Sequence, residues 1–192
     1  GMTGVSGVIG ASNSLVGSAF NDMVGRYGVA VLPNGNYVVS SPDWDNGAAA
    51  DAGAVTWGSG TAGVQGLISA SNSLIGSRPN DLVGDNFGTV TPVTVLTNGN
   101  YVVLSPNWDL GMVSDAGAVT WGNGSIGVTG VVSVSNSLTG LTAGDRVGWA
   151  VAALTNGNYV VTSAGWSGGG AAQVGAATWA NGSTGLNGAV TV

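Results

Sequence analysis

Lysine, glutamate, histidine and cysteine are all absent from this 192-residue sequence. The cations are Arg26, Arg78 and Arg146, all nine anions are aspartates, and the net charge is −6. Each absence excludes a class of chemistry. Without histidine the commonest general base and metal ligand is missing. Without cysteine there are no disulfides, thiolate nucleophiles or thiolate metal sites. No Ser–His–Asp or Ser–Lys pair can activate a serine. Charged residues make up 6% of the chain, against about 25% in an average soluble protein. So few cations cannot neutralise phosphates, so no nucleic acid is expected as a partner. Anionic membranes attract such a chain equally poorly. No apolar run reaches the roughly 18 residues of a spanning helix, so no membrane insertion is expected. Nothing resembles a signal peptide, and Gly1–Met2 reads as a tag-cleavage scar before a start methionine, on a piece of something longer.

What is present is a repeat. The segment at 37–57, YVVSSPDWDNGAAADAGAVTW, recurs at 101–121 and 159–179, offset by 64 and then 58 residues. SNSL recurs at Ser12, Ser71 and Ser135, and NGNY at Asn34, Asn98 and Asn156. Each copy carries two tryptophans 13 residues apart: Trp44/Trp57, Trp108/Trp121 and Trp166/Trp179. The length variation precedes NGNY, where copy two holds the extra DNFGTVTPVT.

Local chemistry makes each copy β. The runs are rich in Val, Ile, Thr, Tyr and Trp, and 36 glycines penalise long helices. Asn-Gly tolerates positive φ at both central positions, which predicts a type I′ hairpin between VAVL and YVVSS. Four strands per copy are expected: VAVL, YVV, AVTW and GLIS. The predicted fold is an all-β propeller of three four-stranded antiparallel blades. Its divisions are residues 1–16 (a lone fourth strand, placed at 4–12), 17–75, 76–139 and 140–192. A sandwich, a prism or a β-solenoid are the alternatives. Three blades cannot close a ring of the usual 4–8, so closure as a six-bladed homodimer is expected.

The order Phe87–Gly88, Ser105–Pro106, Gly117–Ala118–Val119 resembles the FG-GAP repeat of integrin-α-type propellers. Copy one matches with Tyr27–Gly28, Ser41–Pro42 and Gly53–Ala54–Val55, and copy three with Val147–Gly148, Ser163–Ala164 and Gly175–Ala176–Ala177. The wording also resembles repeats of very large secreted bacterial haemagglutinin-like adhesins. The resemblance implies a secreted or cell-surface bacterial module, structural or adhesive, without enzymatic activity. FG-GAP blades often carry a calcium loop between the first two strands. Here that connection is PNGN or TNGN, without carboxylates, so the site is not carried over.

Three sets of residues invite functional readings. Trp44, Trp108 and Trp166, in loops flanked by polar residues, could each stack on a sugar in a lectin-like propeller, or wedge between blades. Trp57, Trp121 and Trp179 are expected in the core. Asp43, Asp45 and Asp51 are a weak metal candidate that fades across the copies, and no cofactor is expected. Asp22, Asp81 and Asp145 recur in every copy, which suits a structural hydrogen bond better than a catalytic pair. The expected partners are a second copy of the chain and a glycan or other cell-surface ligand.

Overall fold

The computed structural model describes residues 4–85, 87 and 92–192. Gly1–Met2, Gly88 of the FG pair and much of the DNFGTVTPVT insertion lie outside the described residues. Among the described residues there is no α-helix, and so none long and apolar enough to cross a membrane.

The strands follow the repeat. A short β1 (Leu15–Val16) precedes copy one, which forms β2 (Val29–Val31), β3 (Tyr37–Ser41), β4 (Ala54–Gly58), β5 (Gly66–Leu67) and β6 (Ser73–Ile75). Copy two forms β7 (Val93–Val95), β8 (Tyr101–Ser105), β9 (Ala118–Gly122), β10 (Gly130–Val131) and β11 (Ser137–Thr139). Copy three forms β12 (Ala150–Ala153), β13 (Tyr159–Ser163), β14 (Ala176–Ala180) and β15 (Gly188–Ala189). They assemble into two five-stranded sheets, β10-β6-β4-β3-β2 and β15-β11-β9-β8-β7, a three-stranded sheet β12-β13-β14, and the pair β1-β5. None closes into a barrel.

Three expectations are corrected. The fourth strand is not GLIS but the SL at the end of SNSL: β6 runs antiparallel to β4, and β11 to β9. The GL of copy one, and the GV and GA at the same place in copies two and three, instead pair in parallel with the preceding SNSL strand: β5 with β1, β10 with β6 and β15 with β11. The sheets are therefore mixed rather than four-stranded and antiparallel. The reason is the asparagine of SNSL. Asn72 Oδ1 accepts from the Ser69 N–H at 3.0 Å and its Nδ2 donates to the Leu67 carbonyl at 2.9 Å. That side chain turns the chain between β5 and β6, and Asn136 repeats the arrangement. The leading strand likewise sits at Leu15–Val16, not at 4–12. Finally, the hairpin loop has three residues, not two. Gly35 N–H bonds the Leu32 carbonyl at 2.9 Å, Leu32 N–H bonds the Asn36 carbonyl at 2.8 Å, and only Gly35 has positive φ, at 85°. This is a turn closed by a left-handed glycine. The type I′ turn would need positive φ at Asn34 as well, and Asn34 does not adopt it.

The sheets stack face to face. Val38, Val55 and Leu74 of the first sheet meet Tyr101, Val103 and Ala118 of the second. Val102, Val119 and Leu138 on the second sheet's other face meet Tyr159 and Val161 of the third. Alternation along β8 thus sends Tyr101 and Val103 one way and Val102 the other, as a strand buried on both faces requires. Burying a side chain such as Leu74 contributes about 1.5–3 kcal/mol.

Candidate functional site

The recurrent polar residues converge on the seams between sheets. Asp81 is buried, and its two oxygens accept from three backbone N–H groups: Ser77 and Arg78 at 2.8 Å, and Asp109 at 2.9 Å. Asp145 does the same for Leu141, Thr142 and Ser167, and Asp22 for Ser18, Ala19 and Asp45. Each aspartate ties its own turn to the loop after the second strand of its copy. The turn is also fastened to the previous sheet: Leu82 N–H bonds the Asp51 carbonyl at 3.1 Å and Val83 N–H that of Ala52 at 3.0 Å. The residue after each aspartate, Met23, Leu82 or Arg146, is held at positive φ of 36–47°. Removal from water pushes the Asp81 carboxyl above its ordinary pKa, against the opposing pull of its three N–H donors.

The metal candidate is occupied by protein partners. Asp43 forms an ion pair with Arg26 at 3.0 Å, and Asp45 Oδ1 accepts the Asp51 N–H at 2.9 Å. Asp51 itself has φ of 52°. Copy two repeats the bond with Asp109 and Asp115 at 2.8 Å, and copy three replaces it with Ser167 Oγ and the Gln173 N–H at 3.1 Å. The repeat keeps an acceptor for that N–H, not a carboxylate, which accounts for the fading. Among the described residues no three carboxylates gather as a metal cage.

Trp44, Trp108 and Trp166 are only 4%, 4% and 7% exposed. Trp108 packs between the first and second sheets and Trp166 between the second and third, while Trp44 joins Ala54, Ile68 and Ile75 on the free side of the first. Placed so, they offer no open ring face to a sugar. Phe87 and Trp149 do form a surface pair, with ring centroids 4.7 Å apart and the Arg146 guanidinium 5.6 Å from the Phe87 ring.

One constellation is not evident from the motifs alone. The Gly124 carbonyl accepts Asn34 Nδ2 at 2.9 Å, Asn36 Nδ2 at 3.0 Å and Trp57 Nε1 at 3.1 Å. The Gly182 carbonyl accepts Asn98 Nδ2 at 2.8 Å, Asn100 Nδ2 and Trp121 Nε1 at 2.9 Å. Meanwhile Gly124 N–H donates to Asn100 and Gly182 N–H to Asn158. A ladder of hydrogen bonds therefore runs through the stack. NGNY is both a hairpin loop and a clamp on the next copy, and its signal was the shared recurrence of NGN and the NGS turn (SGT in copy one). Trp57 and Trp121 are half-buried in these contacts. Trp179, expected in the core, is 56% exposed because no such turn reaches it.

Burial also pushes the Tyr159 hydroxyl up to about 12, against the pull of the Leu186 N–H, and the Tyr101 hydroxyl higher still.

Compared with known proteins, the chain matches a family model described as a repeat of unknown function (DUF5650) at residues 1–26, 31–85, 95–149 and 153–192. No curated protein matches it. The matched stretches 31–85 and 95–149 each include the SNSL strand that pairs with the sheet before it. With four matches covering most of its length, the chain belongs to this family of repeats of unknown function.

Proposed function

We propose that the chain is a non-catalytic structural or adhesive module of an exported bacterial protein, its stacked sheets serving as FG-GAP-like propeller blades. The observation that carries this reading is where the recurrent polar groups go. Asp22, Asp81 and Asp145, the SNSL asparagines and the NGN asparagines all bond backbone groups that hold one copy to itself or to the next. Each recurrent aspartate thus already has backbone partners of its own. The propeller arrangement is supported by the first strands, since β2 lies against β7 and β7 against β12, as inner strands around an axis do.

The test has two arms. The purified chain is assayed for turnover of glycosides, esters and peptides, and its labelled form is applied to glycan arrays and intact cells. Cell or matrix binding without turnover supports the module. Turnover that disappears when one aspartate is replaced overturns it. A glycan hit lost in Trp108→Ala would favour the lectin-like alternative, in which the buried loops open. One lost only in Trp149→Ala would place sugar binding at the single Phe87–Trp149 pair rather than once per blade.

A further inference from the structure

The structure holds two incomplete sheets that are halves of one pattern. The complete sheets each have three inner strands, a fourth antiparallel strand from SNSL, and an outer parallel two-residue strand, Gly130–Val131 or Gly188–Ala189. Among the described residues the third sheet, β12-β13-β14, has only the inner three. The pair β1-β5 has, among the described residues, only the outer two, with Leu15 opposite Gly66 as Leu74 is opposite Gly130. We propose that, in the 192-residue chain taken by itself, the β1-β5 pair of one copy completes the β12-β13-β14 sheet of a second copy, and that two such copies close reciprocally into a ring of six sheets.

The complementarity is specific. In the complete sheets Ala54 pairs with Ile75 and Thr56 with Ser73, and Ala118 with Thr139 and Thr120 with Ser137. The same register sets Ala176 opposite Val16 and Thr178 opposite Ser14 of the second copy. Thr56 and Ser73 share a hydroxyl hydrogen bond at 2.7 Å, as do Thr120 and Ser137. Thr178 and Ser14 preserve both hydroxyls. Exposure tells the same story. β4 and β9 are buried except at their half-buried tryptophans, whereas β14 carries exposed Ala177 and Trp179.

The hydrogen-bond ladder is open at the matching ends. Among the described residues, Asn156 Nδ2, Asn158 Nδ2 and Trp179 Nε1 meet no acceptor, although their counterparts converge on Gly124 and Gly182. At the other end, Gly60 is exposed and its carbonyl meets no donor, whereas Gly124 and Gly182 are buried. A second copy's Ser59–Gly63 turn supplies the carbonyl that Trp179 lacks. The occupant is thus argued from continuity with an interface the chain already makes twice. The inference rests on the stacked-blade part of the proposed function and not on its adhesive role.

Two substitutions block opposite ends. A Cβ on Gly127 would come within 2.6 Å of Trp57 Cβ, and one on Gly185 equally near Trp121 Cβ. At Gly63 a Cβ meets only the Tyr37 hydroxyl, at 3.8 Å. Gly63 has φ of 76°, which asparagine tolerates best among residues with a side chain. Gly63→Asn therefore obstructs docking while sparing the isolated chain, and Trp179→Ala removes the opposite anchor. Light scattering of the unmodified chain should give twice the 18.6 kDa chain mass. Each variant should show at least a tenfold weaker association, with circular dichroism confirming that its sheets persist. Mixed together, they should recover a heterodimer through the junction formed by the intact Gly63 of Trp179→Ala and the intact Trp179 of Gly63→Asn. A folded monomer for the unmodified chain at high concentration overturns the proposal. So does a mass that grows without limit, or folded variants that associate as strongly as the parent.

Discussion

Asp81 reaches across 28 residues to accept the Asp109 N–H at 2.9 Å, and it does so while buried and bonded to two N–H groups of its own turn. One carboxylate thus joins the turn that opens a copy to the loop between that copy's inner strands.

Replacing Asp81 with Ala strands three N–H groups, each costing about 1–3 kcal/mol when left unpaired in the interior. The expected loss is at least about 3 kcal/mol in chemical denaturation. Asp81→Asn keeps one oxygen and replaces the other by a donor facing N–H groups, so it should lose nearly as much. A variant as stable as the parent would remove the clamp from the account of the fold.

The direction of the Asp81 shift fixes a pH response. Its folded pKa lies above the ordinary 3.8, so the folded chain holds that proton more tightly than the unfolded one. Stability through this group rises as pH falls through the folded value towards 3.8. Asp51 shifts the same way, through removal from water and then the charges of Asp43 and Asp45. Acid should therefore not unfold the chain through these groups, and Tm should hold or rise from pH 7 to about 4.5. The tyrosines act at the other end. Their raised values stabilise the fold fully below pH 10, and that contribution drains away as the unfolded chain ionises between 10 and about 12. Tm should fall across that alkaline window, read by calorimetry at dilute protein.

Trp121 and Trp179 occupy equivalent places in successive copies and give a controlled comparison. Trp121 lies against Gly185 and donates to Gly182. Trp121→Ala should cost about 2–4 kcal/mol, less than the full penalty for a wholly buried tryptophan. Trp179→Ala should cost within about 0.5 kcal/mol in the isolated chain, because its indole is largely in water. Equal losses, measured below the association concentration, would contradict the exposure difference.

The strand runs, the tyrosine starts of the second strands and the structural use of the recurrent aspartates were legible because alternation and recurrence are local properties of the sequence. The pairing of GL was not. Two residues carry no period, and whether they pair with their own copy or the preceding one depends on the turn that Asn72 sets. The type of hairpin was obscured because Asn-Gly fits two turn geometries, and the choice rests on φ at Asn34. The exposure of Trp179 was invisible for another reason. Its surroundings are a turn of the following copy, so the same motif is half-buried twice and open once.

The loop 43–51 supplies the last prediction. Asp43 is held by Arg26 and Asp45 by the Asp51 N–H, so a cation there would have to displace an ion pair at 3.0 Å and a backbone bond at 2.9 Å. A Ca²⁺ site needs six to eight oxygens, and this loop would have to reorganise to present them. Copy three folds the same turn with Ser167 in place of the aspartate, so the turn does not depend on a carboxylate. EDTA followed by excess Ca²⁺ should therefore leave Tm unchanged within about 1 °C, since a ligand stabilises only in proportion to its affinity for the folded state. Arg26→Ala offers a control. Freed from its partner, Asp43 turns towards solvent beside Asp45 and Asp51, and a Ca²⁺ response confined to that variant would show that the arginine is what keeps the loop metal-free. A Ca²⁺ response in the unmodified chain would instead mean that the loop opens readily enough for an ion to take the place of Arg26.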